Sequence, residues 1–167
     1  MSFLTQEQKD LAAEIGAMLT ERGEKVAVAE ATAGGLVSAA LLWVAGASRY
    51  YAGGAVVYTL DSRVALAGAD ASLFENYRGT TPEMIAAIAE SLRGRLNATW
   101  CIAESGLAGP TSGRSGLPPG RVTIGVAGPV SRTEVMQTGI NDREANMIEF
   151  TTMTLRYLRD AIKEASK

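Results

Sequence analysis

The chain has 167 residues, of which 47% are hydrophobic and 20% are charged, a composition typical of one globular domain. A formal net charge of −2 provides no excess of basic residues to hold a phosphate backbone, so we expect no nucleic-acid partner. No apolar run reaches the roughly 20 residues of a membrane span and no signal-peptide pattern opens the sequence, so we expect a single domain over 1–167, cytoplasmic and without a membrane partner.

Five helices are predicted from apolar periodicity and from residues that favour helix ends. Thr5 and Gln8 form a capping-box pattern at the start of the first helix. Pro82 occupies the first turn of the fourth, and Asn141 or Asp142 caps the last. In chain order, the predicted helices cover residues 5–23, 36–44, 61–66, 82–97 and 142–167.

Five strands are predicted between these helices. In chain order, they cover residues 25–30, 50–59, 98–103, 121–127 and 133–138. Gly53 and Gly54 interrupt the second strand, which indicates a bulge or a close backbone approach. The last two strands flank a short turn at Gly128 and Pro129, so they should pair antiparallel. We therefore predict an α/β fold, a three-layer α/β/α sandwich around a mixed sheet.

Two glycine-rich turns, 30–35 and 104–110, each follow a buried strand. Ligands of open α/β sheets bind beyond the carboxyl ends of the strands, and free amides at a helix start attract anions such as phosphate. Neither turn matches a P-loop or a dinucleotide fingerprint. Either turn alone is more often only structural, but two at equivalent strand ends predict a pocket for a phosphorylated metabolite. The stretch 109–120, with four glycines and three prolines, is predicted to be a mobile loop within the domain.

Three residue types are scarce in ways that limit the chemistry. The chain has no histidine and one cysteine, which excludes Ser-His-Asp and Cys-His catalysis and the common histidine metal sites. Cys101 lies within an apolar strand and is expected to be a small buried hydrophobe. Lysine is absent from residues 26–162, so no lysine base lies near the turns. We expect no metal and no cofactor.

Residues 29–35, Ala-Glu-Ala-Thr-Ala-Gly-Gly, resemble the Ala-Glu-Ser-x-Thr-Gly-Gly motif of the CinA C-terminal domain family, the nicotinamide-nucleotide amidases also called PncC. Further segments of this chain resemble other conserved motifs of the family and occur in the same order. They lie at residues 46–51, 53–58, 105–110, 120–122 and 142–143. The resemblance spans nearly the whole chain, without the additional N-terminal domain of full-length CinA proteins. It implies hydrolysis of the carboxamide of nicotinamide mononucleotide to ammonia and nicotinate mononucleotide, by a serine that a lysine activates.

The residues at the implied catalytic positions differ from the family pattern. Ala31 stands at the nucleophile position and has no hydroxyl. Arg63 stands at the lysine position, and a guanidinium stays protonated at neutral pH, so it cannot act as a neutral base. Ala33 replaces the motif threonine, and Met147 replaces an arginine of the final helix. Thr32 is adjacent to the lost serine, but its side chain is expected to point away from the substrate. We therefore expect weak or absent amide hydrolysis.

Glu30 and Glu104 are candidates for a rearranged catalytic site, because each ends a buried strand. Two carboxylates in one pocket can bind a divalent cation or activate water. Alternatively, each carboxylate accepts backbone amides in a turn or pairs with an arginine such as Arg63. Ser62 and Ser105 offer hydroxyls, but neither has an evident base.

The retained turns predict a small-molecule, nucleotide-like ligand. Arg63 and Arg143 are candidates to hold its phosphate in a forked geometry; the alternative for Arg63 is a solvated surface arginine. Further candidate ligand contacts are Thr32, Gly34, Gly35, Tyr58, Ser105, Gly106 and Gly109.

Three functional hypotheses remain open. The first is a family member that binds its ligand with altered or lost catalysis, and the second is an active amidohydrolase that uses Glu30 and Glu104. The third is a non-catalytic interaction subunit. We expect a homodimer or a higher homo-oligomer, by analogy with other compact domains. The candidate interface aromatics are Trp43, Trp100, Tyr50 and Tyr51.

Overall fold

The computed structural model describes residues 1–114 and 116–165, and it has the predicted α/β fold. Ser115, within the predicted loop 109–120, and the last two residues of the predicted final helix lie outside the described residues. The helices are α1 (Gln6–Arg22), α2 (Leu36–Trp43), α3 (Leu60–Ala65), α4 (Pro82–Arg95) and α5 (Arg143–Ala165). The strands are β1 (Val26–Glu30), β2 (Tyr51–Val56), β3 (Trp100–Gly106), β4 (Arg121–Ala127) and β5 (Arg132–Gln137). Two short 3₁₀ helices, Ala47–Arg49 and Ala71–Phe74, were not predicted.

The five strands form one mixed sheet in the order β2-β1-β3-β4-β5. Strand β1 pairs in parallel with β2 and β3, whereas β4 pairs antiparallel with β3 and β5. The predicted irregularity in β2 is confirmed: Val26 is opposite Tyr51 but Ala27 is opposite Gly53, which leaves one extra residue in β2. The three parallel strands β1, β2 and β3 therefore end at the same edge of the sheet.

The two faces of the sheet are covered by different helices, because side chains alternate along each strand. On β1, Val26 and Val28 pack in the core formed with α1, α2 and α5. Ala27 and Ala29 pack instead in the core formed with α4. Strand β3 alternates in the same way, with Trp100 and Ile102 on the first face and Cys101 and Ala103 on the second. Continued alternation directs Glu30 and Glu104 to the first face, and Ser105 to the second.

Two of the four candidate interface aromatics lie in the core, so that prediction is wrong for them. Trp100 and Tyr50 are 0% and 1% exposed, and the Tyr50 hydroxyl donates to the carbonyl of Leu41. Both rings fill the core on the α1 face. Trp43 remains exposed. Cys101 is fully buried, as predicted, and this burial raises the pKa of its thiol.

Side-chain hydrogen bonds cap the starts of α1 and α5. The capping box of Thr5 and Gln8 is formed, and α5 is capped by Asp142, whose carboxylate accepts the amide of Ala145 at 2.7 Å. Within the described residues, no helix is both long enough and apolar enough to cross a membrane.

Candidate functional site

A cleft of about 430 Å³ opens where β1, β2 and β3 end, and its volume lies within the usual range for small-molecule sites. We call it the strand-end cleft. Six predicted site residues line it: Ala31, Thr32, Tyr58, Arg63, Ser105 and Gly106. The other lining residues are Thr59, Leu60, Tyr77, Arg78, Gly79, Leu107, Gly113 and Arg114. The fold thus brings Ala31 and Arg63, the two positions of the implied dyad, to one cavity.

Arg63 is held within the wall of this cleft and is only 3% exposed, so its interpretation as a solvated surface arginine is wrong. Its Nε donates to the carbonyl of Val57 at 3.2 Å. Its Nη1 donates to Thr80 Oγ1 at 2.9 Å, and its Nη2 donates to Ser105 Oγ at 3.0 Å. These acceptors are all neutral. They fix the position of the guanidinium without neutralising its charge.

A chain of hydroxyl groups continues from Arg63. Thr80 Oγ1 lies 2.8 Å from Ser105 Oγ and 2.9 Å from the hydroxyl of Tyr77. Ser105 is therefore in contact with a cation and a hydroxyl, and neither of these is a base that would remove its proton. Ser62 does not line the cleft, and its hydroxyl donates to the carbonyl of Thr59 at 2.6 Å.

The buried carboxylate of Glu30 binds the backbone amides at the start of α2. Its carboxylate accepts the amides of Gly35, Val37 and Ser38 at distances of 3.1, 2.9 and 2.9 Å. The prediction that free amides at this turn would bind phosphate is therefore wrong for these three, because an internal carboxylate already satisfies them. Gly34 and Gly35 do not line the cleft.

Glu104 holds the turn that contains the implied nucleophile position. Its Oε1 accepts the amides of Ala31 and Ala33 at 2.7 and 2.8 Å. Its Oε2 is buried and has no hydrogen-bond partner among the described residues. Burial raises the pKa of Glu104 to about 7, against the opposing effect of the two amides, while the neighbouring charge of Glu30 raises it further and that of Arg63 lowers it.

Glu30 and Glu104 do come together, but outside the strand-end cleft. The register that pairs Ala29 with Ala103 places them side by side, Glu30 at the last residue of β1 and Glu104 two residues before the end of β3. Both are 1% exposed, and neither lines the cleft. Their hydrogen bonds match the interpretation in which each carboxylate accepts backbone amides of a turn.

Thr32, adjacent to the implied nucleophile position, is among the residues that line the cleft. Its hydroxyl is already occupied, because it donates to the carbonyl of Gly106 at 2.8 Å and accepts the Gly106 amide at 2.9 Å. This two-way pairing joins the turn after β1 to the end of β3. A Cβ at Gly106 would lie 2.6 Å from the Phe150 ring and 2.9 Å from the carbonyl of Arg121, so glycine is needed there for close packing.

Arg143 lies beside the cleft at the first residue of α5. It donates to the carbonyl of Gly109 at 2.8 Å and to the hydroxyl of Tyr58 at 3.5 Å. Arg143 is exposed, whereas Arg63 is buried, and the two arginines share no hydrogen-bond partner among the described residues. Neither Arg143 nor Gly109 lines the cleft.

Two residues that organise the site are not evident from the sequence. Thr80 stands in a pattern that indicates only a helix start, although its hydroxyl is the centre of the Arg63 network. Tyr77 lies between the second 3₁₀ helix and α4, in a segment without periodicity. The Thr80–Thr81 pair is the one available signal, because a single N-cap hydroxyl is sufficient to start a helix.

Comparison with known proteins gives consistent matches. Residues 8–162 match the model of the CinA C-terminal domain. A CinA-like protein of Prochlorococcus marinus (strain MIT 9313) is 41% identical over 74% of this chain and 29% of its own length. A CinA-like protein of Synechocystis sp. is 36% identical over 86% of this chain and 34% of its own length. The chain thus spans about a third of the length of these curated relatives.

Solved structures show the same fold. The competence/damage inducible protein CihA from Agrobacterium tumefaciens has a TM-score of 0.90 and 25% sequence identity, and the match covers 98% of this chain and 99% of that one. A CinA superfamily protein from Klebsiella pneumoniae has a TM-score of 0.87 at 22% identity, over 94% and 98% of the two chains.

Proposed function

The chain belongs to the CinA C-terminal domain family, and from this membership we propose that it binds a nicotinamide mononucleotide-like phosphorylated metabolite without hydrolysing its amide at an appreciable rate. The observation that supports this best is that Ala31 and Arg63 line the same cleft. The cavity that the family resemblance assigns to the amide is retained, while both groups that would attack the amide are replaced.

The loss of hydrolysis follows from three requirements of serine-type attack on an amide: a hydroxyl, a base and donors for the oxyanion. Ala31 supplies a methyl group, and its amide already donates to Glu104. Arg63 is a protonated donor and not a base. Ser105 offers an alternative hydroxyl in the same cleft, but it accepts a hydrogen bond from Arg63.

Retained binding is supported by the size and charge of the strand-end cleft. Its volume of about 430 Å³ suits a mononucleotide. Arg78 and Arg114 line it with exposed side chains, which suits a phosphate near the mouth. The ring of Tyr77 lines the same cavity and offers a surface for a planar heterocycle.

Calorimetric titration with nicotinamide mononucleotide, together with an assay for released ammonia, tests this proposal. We expect saturable binding and no ammonia above the background. Arg78→Glu should weaken binding, because it places a negative charge beside the phosphate. Arg49→Glu is the matched control, since Arg49 is exposed and lies outside the cleft lining. Absence of binding, or turnover by the native chain, would contradict the proposal.

The alternative of an active amidohydrolase that uses Glu30 and Glu104 is less well supported, because four of the five hydrogen bonds to these carboxylates come from residues that do not line the cleft. The ammonia assay separates the two hypotheses directly. Glu30→Gln should not change the result if the carboxylate only holds its turn.

An association role is favoured by one surface feature. Leu42 and Trp43 are adjacent on α2 and are 52% and 45% exposed; the Lys9 ammonium lies 5.2 Å from the centre of the Trp43 ring. We propose that this pair contributes to a homodimer in the cytoplasm. Sedimentation equilibrium should detect a dimer that Trp43→Glu dissociates, and a monomeric native chain would overturn this.

A further inference from the structure

A second cavity, of about 200 Å³, adjoins the strand-end cleft, and we call it the side cavity. The two cavities share six lining residues: Tyr77, Arg78, Gly79, Ser105, Gly106 and Leu107. Thr80 lines only the side cavity and Arg63 lines only the cleft, so the hydrogen-bonded hydroxyls of Thr80 and Ser105 lie at the boundary. A ligand group in the side cavity therefore needs donors other than Arg63.

The topology of the sheet brings Arg121 to the side cavity. Strand β4 runs antiparallel to β3, so its first residue, Arg121, lies at the same edge as the end of β3. Thr123 is paired with Ser105, and both line the side cavity. Side chains two residues apart on a strand share a face, which directs Arg121 to the same side of the sheet. Arg121 lines the side cavity and does not line the cleft.

The two cavities collect positive charge in a chain whose formal net charge is −2. Besides the buried Arg63, Arg114 lines only the cleft, Arg121 lines only the side cavity, and Arg78 lines both. These three arginines form no ion pair among the described residues. No Asp or Glu of the described residues lines either cavity. A single phosphate near Arg78 and Arg114 would leave Arg121 without an anion.

We infer that the side cavity binds a second phosphoryl group, so that the preferred ligand is a nucleotide with a diphosphate and not a monophosphate. This inference rests on the proposed function, since it extends the same ligand beyond the strand-end cleft. A diphosphate joins its two phosphoryl groups through one oxygen atom, so they need neighbouring binding positions, and the two adjoining cavities provide them. Arg78, which lines both cavities, contacts both groups, and Arg121 contacts the second.

The donors of the side cavity suit phosphoryl oxygens. Guanidinium and hydroxyl groups both donate to such oxygens, and Arg78, Arg121 and Thr81 supply them here. The Thr81 hydroxyl accepts the amide of Met84 at 3.2 Å, which leaves its own proton for a ligand. A diphosphate can end a nucleotide or join the two halves of a dinucleotide. In the second case, the added nucleoside would lie against the apolar part of the lining, at Leu107 and Leu117.

Calorimetric titration of the native chain with two matched pairs of probes tests the inference, at a fixed ionic strength of about 0.15 M. The first pair is nicotinamide mononucleotide and nicotinamide adenine dinucleotide, and the second is adenosine monophosphate and adenosine diphosphate. The two members of the first pair have similar net charges at neutral pH, so general attraction to a cationic surface does not separate them. The diphosphate should bind at least roughly tenfold more tightly than its monophosphate partner, as expected for charge-assisted hydrogen bonds.

Arg121→Gln should weaken the diphosphates and bring their affinities to within about threefold of the monophosphates. Arg49→Gln is the matched control and should keep the full difference, because Arg49 is exposed and lines neither cavity. An Arg121-dependent difference in either pair supports the inference. A difference in the first pair alone identifies a dinucleotide, and a difference in the second pair alone identifies a terminal diphosphate.

The outcomes also distinguish this inference from the proposed function. Equal binding within both pairs, or a difference that Arg121→Gln does not change, overturns the inference, while saturable binding of nicotinamide mononucleotide leaves the proposed function intact. Arg121-dependent binding of adenosine diphosphate, with no binding of either nicotinamide compound, supports the inference and overturns the proposed function. No binding of any probe overturns both. If Arg121→Gln fails to fold, the comparison within each pair on the native chain still decides.

Discussion

Glu104, on β3, accepts the backbone amide of Ala31 across 2.7 Å, in the turn that follows the neighbouring parallel strand β1. The same carboxylate oxygen accepts the amide of Ala33. These bonds fix the turn at the implied nucleophile position and remove its amide from any role in oxyanion binding. They also place a carboxyl group in full burial, with its second oxygen unpartnered among the described residues.

The position of Glu104 predicts an unusual pH dependence of stability. Burial raises its pKa from 4.5 to about 7, so between these pH values the folded chain binds more protons than the unfolded chain. The contribution of Glu104 to the free energy of unfolding should therefore be largest below about pH 4.5. It should decrease by on the order of 3 kcal/mol as the pH rises through 7. Because the chain has no histidine, few other groups titrate in this window.

Urea unfolding at several values between pH 5 and pH 8 measures this effect. Glu104→Gln keeps an oxygen for the two amides but cannot ionise, so its unfolding free energy should be nearly constant across the range. Glu75→Gln, at an exposed position, should retain the slope of the native chain. Parallel curves for native chain and Glu104→Gln would show that Glu104 does not titrate in this window.

The pairing between Thr32 and Gly106 should stabilise the junction of the two turns. Thr32→Val preserves the shape of the side chain but removes both hydrogen bonds, and it leaves the Gly106 amide and carbonyl without their partner. We expect a loss of about 1–3 kcal/mol in unfolding free energy, measured by urea titration. Thr32→Ser should recover most of this loss because it restores the hydroxyl. Equal stability of the valine and serine variants would argue against the pairing.

Gly106 and Gly94 should respond in opposite directions to alanine. At Gly106, the new Cβ would lie 2.6 Å from a Phe150 ring carbon, so Gly106→Ala should lower the thermal midpoint. Gly94 lies within α4, where an added Cβ would meet open space with no neighbouring atom within 4 Å. Gly94→Ala should therefore stabilise the chain by roughly 0.5–1 kcal/mol. Differential scanning calorimetry compares the two, and a neutral Gly106→Ala would contradict the close packing described there.

Much of the fold was predictable because its determinants are local. The capping box at Thr5, the turn at Gly128 and the interruption at Gly53 each depend on neighbouring residues, and each has the predicted outcome. The burial of Trp100 and Tyr50 was not predictable in this way. An aromatic residue suits a core and an interface equally well, and only the packing of α1 on the sheet decides between them.

The location of the site was predictable from the sequence, but its hydrogen-bond network was not. Parallel strand ends and the resemblance placed Ala31, Arg63 and Ser105 near one another, and all three line the cleft. Glu30 and Glu104 illustrate the limit. Their positions at strand ends indicated a shared location, but whether a carboxylate faces a ligand or a backbone amide depends on the path of the turn, which the sequence does not specify.

The central claim is that the strand-end cleft is a retained amidase cavity that has lost its dyad. It is tested most directly by measuring ammonia release from nicotinamide mononucleotide for the native chain and for Ala31→Ser/Arg63→Lys, with each single variant as a control. We expect no release from the native chain and a gain in the double variant of roughly 10²-fold over either single variant, since nucleophile and base act together. Turnover by the native chain would contradict the claim, because neither Ala31 nor Arg63 can perform the attack.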